Sequence, residues 1–472
     1  MRFARHVQLD RTRLLAAAQV IGILVIGLTG LFIYAFPGFM SSDSFAQLWE
    51  ARNHTYSDWH PPAMAALWNV VELFVKGPAG MLVLQSVLFI VGVFRILRRV
   101  LPPRAAAIVA SAILLFPPVL APMACIWKDS QMAGFLAMGI SLVIDERRAL
   151  RVAGIVLIVI ASALRHNALA ATLPIFVLLF RWRDDQRMWR RVAIAVVIWA
   201  MTVGTAQLIN RQLTKVQKYA WHVSVAPADI IGVIKYAPPL SDNELRALLF
   251  EATIVLDHGI QAHARKYYNP ANWWGYMTAG PQRVFWWPET PWQRAALSHA
   301  WGQLVSEYPS AYLHHRLRVF RALIGLSKQP LFDPVWSSHG DAEHPEEGRG
   351  VAASGIQGAL ADAFRWLAND TPLFRPYLYL FLAFALLAVA WRRVDALALL
   401  LSGLSYELAL YFIAPSADVR YSHWMLTTTL LAGVIVIAHE LQRRRSPRAD
   451  QIGVADVAAR DRSEDRIDGR AP

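Results

Sequence analysis

The sequence predicts an all-α polytopic membrane protein, a helical bundle of about ten spans with an outward-facing, mainly helical soluble region. Three observations predict it. Of the 472 residues, 56% are apolar and only 17% are charged, where a soluble globule carries about 25% charged residues. The apolar residues gather in runs of roughly 15 to 23, the length that crosses a hydrocarbon core of about 30 Å at about 1.5 Å per helical residue. The arginines between these runs cluster in short turns. The net charge of +13 therefore reads as a topology signal under the positive-inside rule. No soluble basic domain is present to hold a nucleic acid, and none is expected as a partner.

The first run, Leu14 to Phe36, follows Arg2, Arg5, Arg11 and Arg13. It is too long for the apolar stretch of a cleaved signal peptide, and no small-x-small site follows it, so a retained signal anchor is expected. The arginine-rich turns are Arg95 with Arg98, Arg99 and Arg104; Arg147, Arg148 and Arg151; Arg181 through Arg191; Arg392 and Arg393; and Arg443 to Arg445. With these turns and the N-terminus in the cytoplasm, spans fall at 14–36, 79–97, 104–124, 129–145, 148–164, 167–181, 190–209, 376–391, 394–414 and 421–440. An even count leaves both termini cytoplasmic. Residues 63–75 break the alternation, because counting them as a span would place Arg95, Arg98 and Arg99 outside. They are expected to lie at the outer interface or against the bundle.

The organisation that follows is a seven-span module over 1–210 with its first outer loop at 37–78, an outward region over 211–375, three further spans over 376–441, and a disordered cytoplasmic tail over 442–472. In the outward region Ser241 and Glu244 have capping-box spacing ahead of an apolar-periodic stretch. A second amphipathic stretch runs from Ala295 to Leu326, and His314, His315, Arg316 and Arg318 are expected to form its basic face. Half of the 18 tryptophans lie in this region, as an interfacial belt or an aromatic core requires. The run HGDAEHPEEG, 339–348, matches no metal-ligand spacing and reads as a solvated loop. The single cysteine, Cys125, rules out an internal disulfide.

The topology, set by the cytoplasmic arginines alone, makes a separate statement about the remaining polar residues. Asp43, Asp58 and His60 fall in the first outer loop, Trp127, Lys128 and Asp129 in the second, Arg165, His166 and Asn167 in the third, and Asp418, Arg420 and Tyr421 in the last. Three of these turns are too short to reach far, so their side chains should meet at the outer end of the bundle. Taken one by one, each has a plain reading. Lys128 beside Asp129 reads as a surface pair worth under about 1 kcal/mol, and Arg165–His166 as an ordinary loop. Together they are unusual, because cations are disfavoured in outer loops. A set of cations at a membrane surface is what a phosphate or pyrophosphate headgroup requires, with arginine offering bidentate hydrogen bonds. Glu407 lies inside the 394–414 span, where a charge costs about 3 kcal/mol, and is a functional candidate for that reason. Gln85 reads as a helix–helix hydrogen bond.

The runs FPGFMSSDSFAQLW, DWHPP, WKDS, RHN and ADVRY resemble bacterial integral-membrane glycosyltransferases of the GT-C superfamily, relatives of the protein mannosyltransferases and of the aminoarabinose transferases. The resemblance covers most of 14–440, and its short motifs identify the superfamily rather than a branch. It implies transfer of a sugar from a polyprenyl-phosphate-linked donor to an extracytoplasmic glycan, lipid or protein by a single inverting displacement, at the outer face of a bacterial inner membrane. It implies that Asp43 is the catalytic base. His60 would shape the acceptor or phosphate site, and Lys128, Arg165 and Arg420 would neutralise the leaving lipid phosphate. Asp129 or Glu407 would orient those cations, and His166, Asn167 and Tyr421 complete the expected binding set. Many relatives carry a paired acidic motif in the first loop, where this chain has a lone Asp43 between serines, so no obligatory metal is expected. Two other readings share the topology: a transporter or flippase of lipid-linked saccharides, and a surface-polysaccharide polymerase or ligase.

Overall fold

The computed structural model describes residues 2–181, 187–327, 330–332, 334–338 and 353–464, with side chains described between Arg11 and Arg444. The chain is helical throughout these residues, with no strand beyond isolated bridges. The first part contains α1 (Arg2–Ala35), α2 (Ser42–Asn53), α3 (Pro62–Glu72), α4 (Ala79–Leu97), α5 (Pro103–Leu115), α6 (Pro117–Ala124), α7 (Lys128–Val143), α8 (Arg148–Leu164), α9 (Ala168–Leu179) and α10 (Met188–Leu213). The intervening region contains α11 (Ala226–Tyr236), α12 (Asp242–Leu249), α13 (Ile260–Tyr267), α14 (Pro291–Glu307), α15 (Pro309–Leu323) and α16 (Gly355–Asp370). The chain closes with α17 (Pro376–Ala390), α18 (Val394–Ile413) and α19 (His423–Glu464).

Every run expected to span is helical, but length and composition qualify fewer than ten. Among the described residues five segments are long and apolar enough to cross a membrane: Arg11–Ala35, Ala79–Leu97, Met188–Leu213, Val394–Ile413 and Val419–Arg444. The expected span at 104–124 is broken, since α5 and α6 meet at 68°. Pro117 and Pro118 open α6 and cannot donate the amide hydrogen bonds that would continue α5. Helices α7, α8, α9 and α17 have 16, 17, 12 and 15 residues, short of the roughly 20 that a perpendicular crossing needs. Helix α3 has 11 residues, about 16 Å of helix, and does not cross. It is tied to α2 instead, where Arg52 Nη2 lies 2.9 Å from Glu72 Oε1. One expectation is corrected at the C-terminus. Helix α19 runs on to Glu464 through the segment expected to be disordered, whose Ala and Arg content favours helix. Residues 465–472, 182–186 of the Arg181–Arg191 turn, and the 339–348 loop lie outside the described residues.

Helix α7 is the hub of the first part, packed between α4 and α8, with nearly all its side chains buried. Two glycines make the packing possible. A Cβ on Gly92 of α4 would stand 2.4 Å from the backbone of Ala137 and Met138, and one on Gly154 of α8 would stand 2.7 Å from the Gly139 carbonyl oxygen. Such backbone-to-backbone approach is the close helix packing that small residues permit in an apolar bundle. Gln85 acts as expected: its Nε2 donates to the carbonyls of Met123 (2.7 Å) and Cys125 (3.1 Å), and its Oε1 accepts from Gln131. It thereby fastens the α6–α7 turn to α4.

The intervening region holds its own core between Val223 and Ala311, while Ala322, Leu323 and Ile324 at the end of α15 join the core of the bundle. Three of its helices, α12, α14 and α16, begin with capping boxes at Ser241–Glu244, Thr290–Gln293 and Ser354–Gln357. Trp301 packs against that core, whereas Trp274, Trp286, Trp287 and Trp292 are exposed, so neither reading of the tryptophans holds for all of them. The expected basic face of α15 is also corrected. His314 and Arg318 are exposed, but His315 and Arg316 are buried. They turn inward to Asp229 of α11, at 3.1 Å (His315 Nε2–Oδ1) and 2.7 Å (Arg316 Nη2–Oδ2), because that carboxylate is itself fully buried and needs compensation.

Candidate functional site

The turn before α2 is stapled to the turn before α7. The Phe39 amide donates to the Ala124 carbonyl and the Ile126 amide to the Phe39 carbonyl, both at 2.9 Å. Ser44 Oγ donates to the Ile126 carbonyl (2.9 Å), and Trp127 Nε1 donates to Ser41 Oγ (2.8 Å). The serines around Asp43 therefore fix the loop, with Ser41 at the N-cap of α2, where serine is preferred. Asp43 sits in the first turn of α2, and the positive end of the helix dipole favours its carboxylate. A strap from the intervening region closes over the same turn. Trp336 Nε1 donates to the Met40 carbonyl and the Met40 amide to the Ser338 carbonyl, both at 2.8 Å.

Asp43 is held by two cationic arms. Arg420 Nη2 lies 2.7 Å from Asp43 Oδ2, and Arg420 Nε lies 2.6 Å from Asp418 Oδ2. On the other side His60 Nε2 stands 3.5 Å from Asp43 Oδ1, and His60 Nδ1 is 2.7 Å from Lys128 Nζ. An ammonium can only donate, so Nδ1 is the acceptor and the ring proton resides on Nε2, facing Asp43. Burial opposes ionisation of Asp43, but Arg420, His60 and Lys128 hold its carboxyl well below the usual range. Burial and the neighbouring Lys128 push His60 down to about 4, so the ring is neutral near pH 7.

A second cluster lies beside the first. Arg165 Nε is 2.8 Å from Asp129 Oδ1 and 3.0 Å from the Tyr406 hydroxyl. The guanidinium of Arg165 lies 4.7 Å from the Tyr421 ring centre, and that of Arg420 lies 5.6 Å from it. Arg420 also lies 4.6 Å from the ring of Trp127. Tyr421 thus joins the two clusters through cation–π contacts. Exposure separates the acids by role: the Asp43 side chain keeps 26% of its surface, Asp418 6% and Asp129 none. Of these three carboxylates, Asp43 is the one an incoming molecule reaches.

The structure brings Asp43, His60, Lys128, Asp129, Arg165, Arg420 and Tyr421 to one end of the bundle. It does not bring every candidate. Among the described residues Glu407 meets no cation; its Oε1 accepts from Ser422 Oγ at 2.8 Å, and Asp129 is the acid paired with Arg165. His166 is exposed and Asn167 half-buried at the α8–α9 turn, close enough for Lys128 and Arg165 to join burial in lowering the His166 pKa. Asp58 faces away and accepts from the backbone amides of Lys218 and Tyr219. Three residues join the site from outside the expected binding set: Tyr406 within a span, Trp127 and Asp418. The signals that could have found them are adjacency to Glu407 for Tyr406, to Lys128 for Trp127, and to Arg420 for Asp418. Among the described residues no three His, Cys, Asp or Glu side chains converge to hold a metal ion. No protein-family model matches the chain, and no curated protein matches it.

Proposed function

We propose that the protein is a membrane glycosyltransferase of the GT-C type. It moves a sugar from a polyprenyl-phosphate donor to an acceptor on the outer face of a bacterial inner membrane. In this reading the ten helical runs are ten spans, the shorter ones crossing where the bilayer is locally thinned, and the clustered end faces outward. The single observation that carries the reading is the reachable carboxylate of Asp43 set between Arg420 and the His60–Lys128 pair, at one end of an apolar bundle. An acid and a group of cations within one hydrogen-bonded cluster are the two parts a transfer from a phosphate leaving group requires.

Asp43 takes the acceptor proton while the acceptor oxygen or nitrogen bonds to the anomeric carbon. The bond from that carbon to the phosphate oxygen breaks with inversion, and polyprenyl phosphate leaves carrying the released electron pair. Arg420 and Lys128 receive its charge, with Arg165 beside them. The resting arrangement is a poor base, because Arg420 stabilises the Asp43 anion. A donor phosphate competes for Arg420, and loss of that partner raises the basicity of Asp43 toward the range that general-base catalysis favours. Donor binding thereby arms the base. Membranes carrying Asp43→Asn, supplied with radiolabelled polyprenyl-phosphate sugars, test the assignment. Transfer at the wild-type rate overturns it. Single-cysteine labelling at positions 43, 128, 166 and 420 tests sidedness, and protection from an external reagent at any two positions overturns the outward orientation.

A further inference from the structure

A second cluster of cations lies away from Asp43, in the intervening region. Lys235 of α11 and Arg318 and Arg321 of α15 line a cavity of about 420 Å³, together with Tyr268, Pro270, Leu326 and Ser327. Arg318 and Arg321 are three residues apart on one helix, so they project from the same face. Among the described residues none of the three cations makes an ion pair with a carboxylate. Three like charges around one hollow repel one another, and a bound anion relieves that repulsion. Burial, and Arg318 beside it, lower the Lys235 pKa.

The wall of the cavity is built to stay in place. Tyr268 bonds to His315 Nδ1 at 2.9 Å, His315 Nε2 lies 3.1 Å from Asp229, and the Lys235 ammonium rests 4.5 Å from the Tyr268 ring centre. With Asp229 accepting at Nε2, the neutral imidazole leaves Nδ1 to accept the Tyr268 proton, which locks the ring's orientation. The cavity's lower edge is level with the mouth of the bundle: the Tyr377 amide, at the start of α17, donates to the Ile324 carbonyl at 2.9 Å, and Arg375 Nη1 donates to the Gly325 carbonyl at 2.9 Å.

We propose that this cavity binds a phosphate-bearing anion, separate from the Asp43 cluster. Two sources share that chemistry, a lipid headgroup and a soluble phosphate. Phosphate is favoured over carboxylate because two arginines and a lysine present more donors than one carboxylate accepts.

Two arms on the full-length protein separate the sources. Titration calorimetry in phosphatidylcholine nanodiscs uses inorganic phosphate, and native mass spectrometry from detergent uses phosphatidic acid. Binding in either arm, weakened at least tenfold by Arg318→Gln with Arg321→Gln, supports the proposal and names the source. The doubly conservative Arg318→Lys, Arg321→Lys variant should retain most of the binding. Both arginines are exposed, so an unchanged melting temperature shows that the variants are folded. No binding in either arm, or binding indifferent to the Gln substitutions, overturns the site. The Asp43→Asn variant should bind as the wild type does, which keeps this test independent of the transfer reaction.

Discussion

Arg420 and Asp43 lie 377 positions apart in sequence and 2.7 Å apart in space. That ion pair joins the first and last turns at this end of the bundle, and its strength sets how basic Asp43 is in the resting protein. Arg420→Gln removes the leading cation from Asp43. The Asp43 pKa then rises, and the acidic limb of the pH–rate profile moves to higher pH, because a base must be ionised to act. Asp43→Asn should lower kcat/KM by about 10²- to 10⁴-fold, the range for losing a general base. A merely structural latch would give the two variants equal loss with an unmoved profile.

His60 gives a stability signal of known sign. Its value near 4 lies below the ordinary 6.5, so between those values the unfolded chain takes up a proton that the folded chain refuses. Stability is therefore full above about pH 6.5 and declines as the pH falls toward 4. His60→Gln keeps an acceptor for Lys128 and a donor for Asp43 but does not titrate. Melting temperatures between pH 4 and 7 should fall less steeply for this variant than for the wild type.

Asp229 is fully buried and serves His315, Arg316 and Trp301 at once. Asp229→Asn leaves the Arg316 charge uncompensated at the centre of the region, at a cost of about 3–5 kcal/mol. Thermal denaturation in detergent should show a large drop in melting temperature. Because Arg316 Nη1 also donates to the Ala414 carbonyl at 2.9 Å, four residues before Asp418, transfer activity should fall with it.

Gly92→Ala places a methyl group against the Ala137–Met138 backbone. Backbone cannot rotate aside, so α4 and α7 must separate, at about 1–3 kcal/mol. Lys128 opens α7, and a shift of that helix carries it away from His60. Reduced activity with a lowered melting temperature is the expected pair of outcomes.

The helices were legible in the sequence because apolar runs and arginine turns are local signals. Leu14 to Phe36 and Ala79 to Leu97 needed nothing beyond their own composition. The break at Phe116 was also written locally, in Pro117 and Pro118, but an unbroken hydropathy count hid it. The clustering of Asp43, His60, Lys128, Arg165 and Arg420 followed from short turns sharing one end of a bundle, a constraint of topology rather than of any one residue. Pairings were beyond reach. Nothing in the sequence distinguishes Asp43, which meets two cationic arms, from Asp58, which caps a backbone turn, because that difference depends on a contact with Lys218 and Tyr219. The inward turn of His315 and Arg316 was hidden for the same reason, since their partner Asp229 lies 86 and 87 positions upstream.

The tie between Asp43 and Arg420 also sets a schedule. A ribosome adding about 5–20 residues per second needs on the order of tens of seconds to pass from one to the other. Throughout that interval the nascent acid stands without its partner, and the cluster cannot form until synthesis has passed α18 and reached the short helical turn Val419–Ser422 that bears the arginine. A chain that stops short of Arg420 therefore leaves the Asp43 cluster unfinished, however many of its helices have already folded.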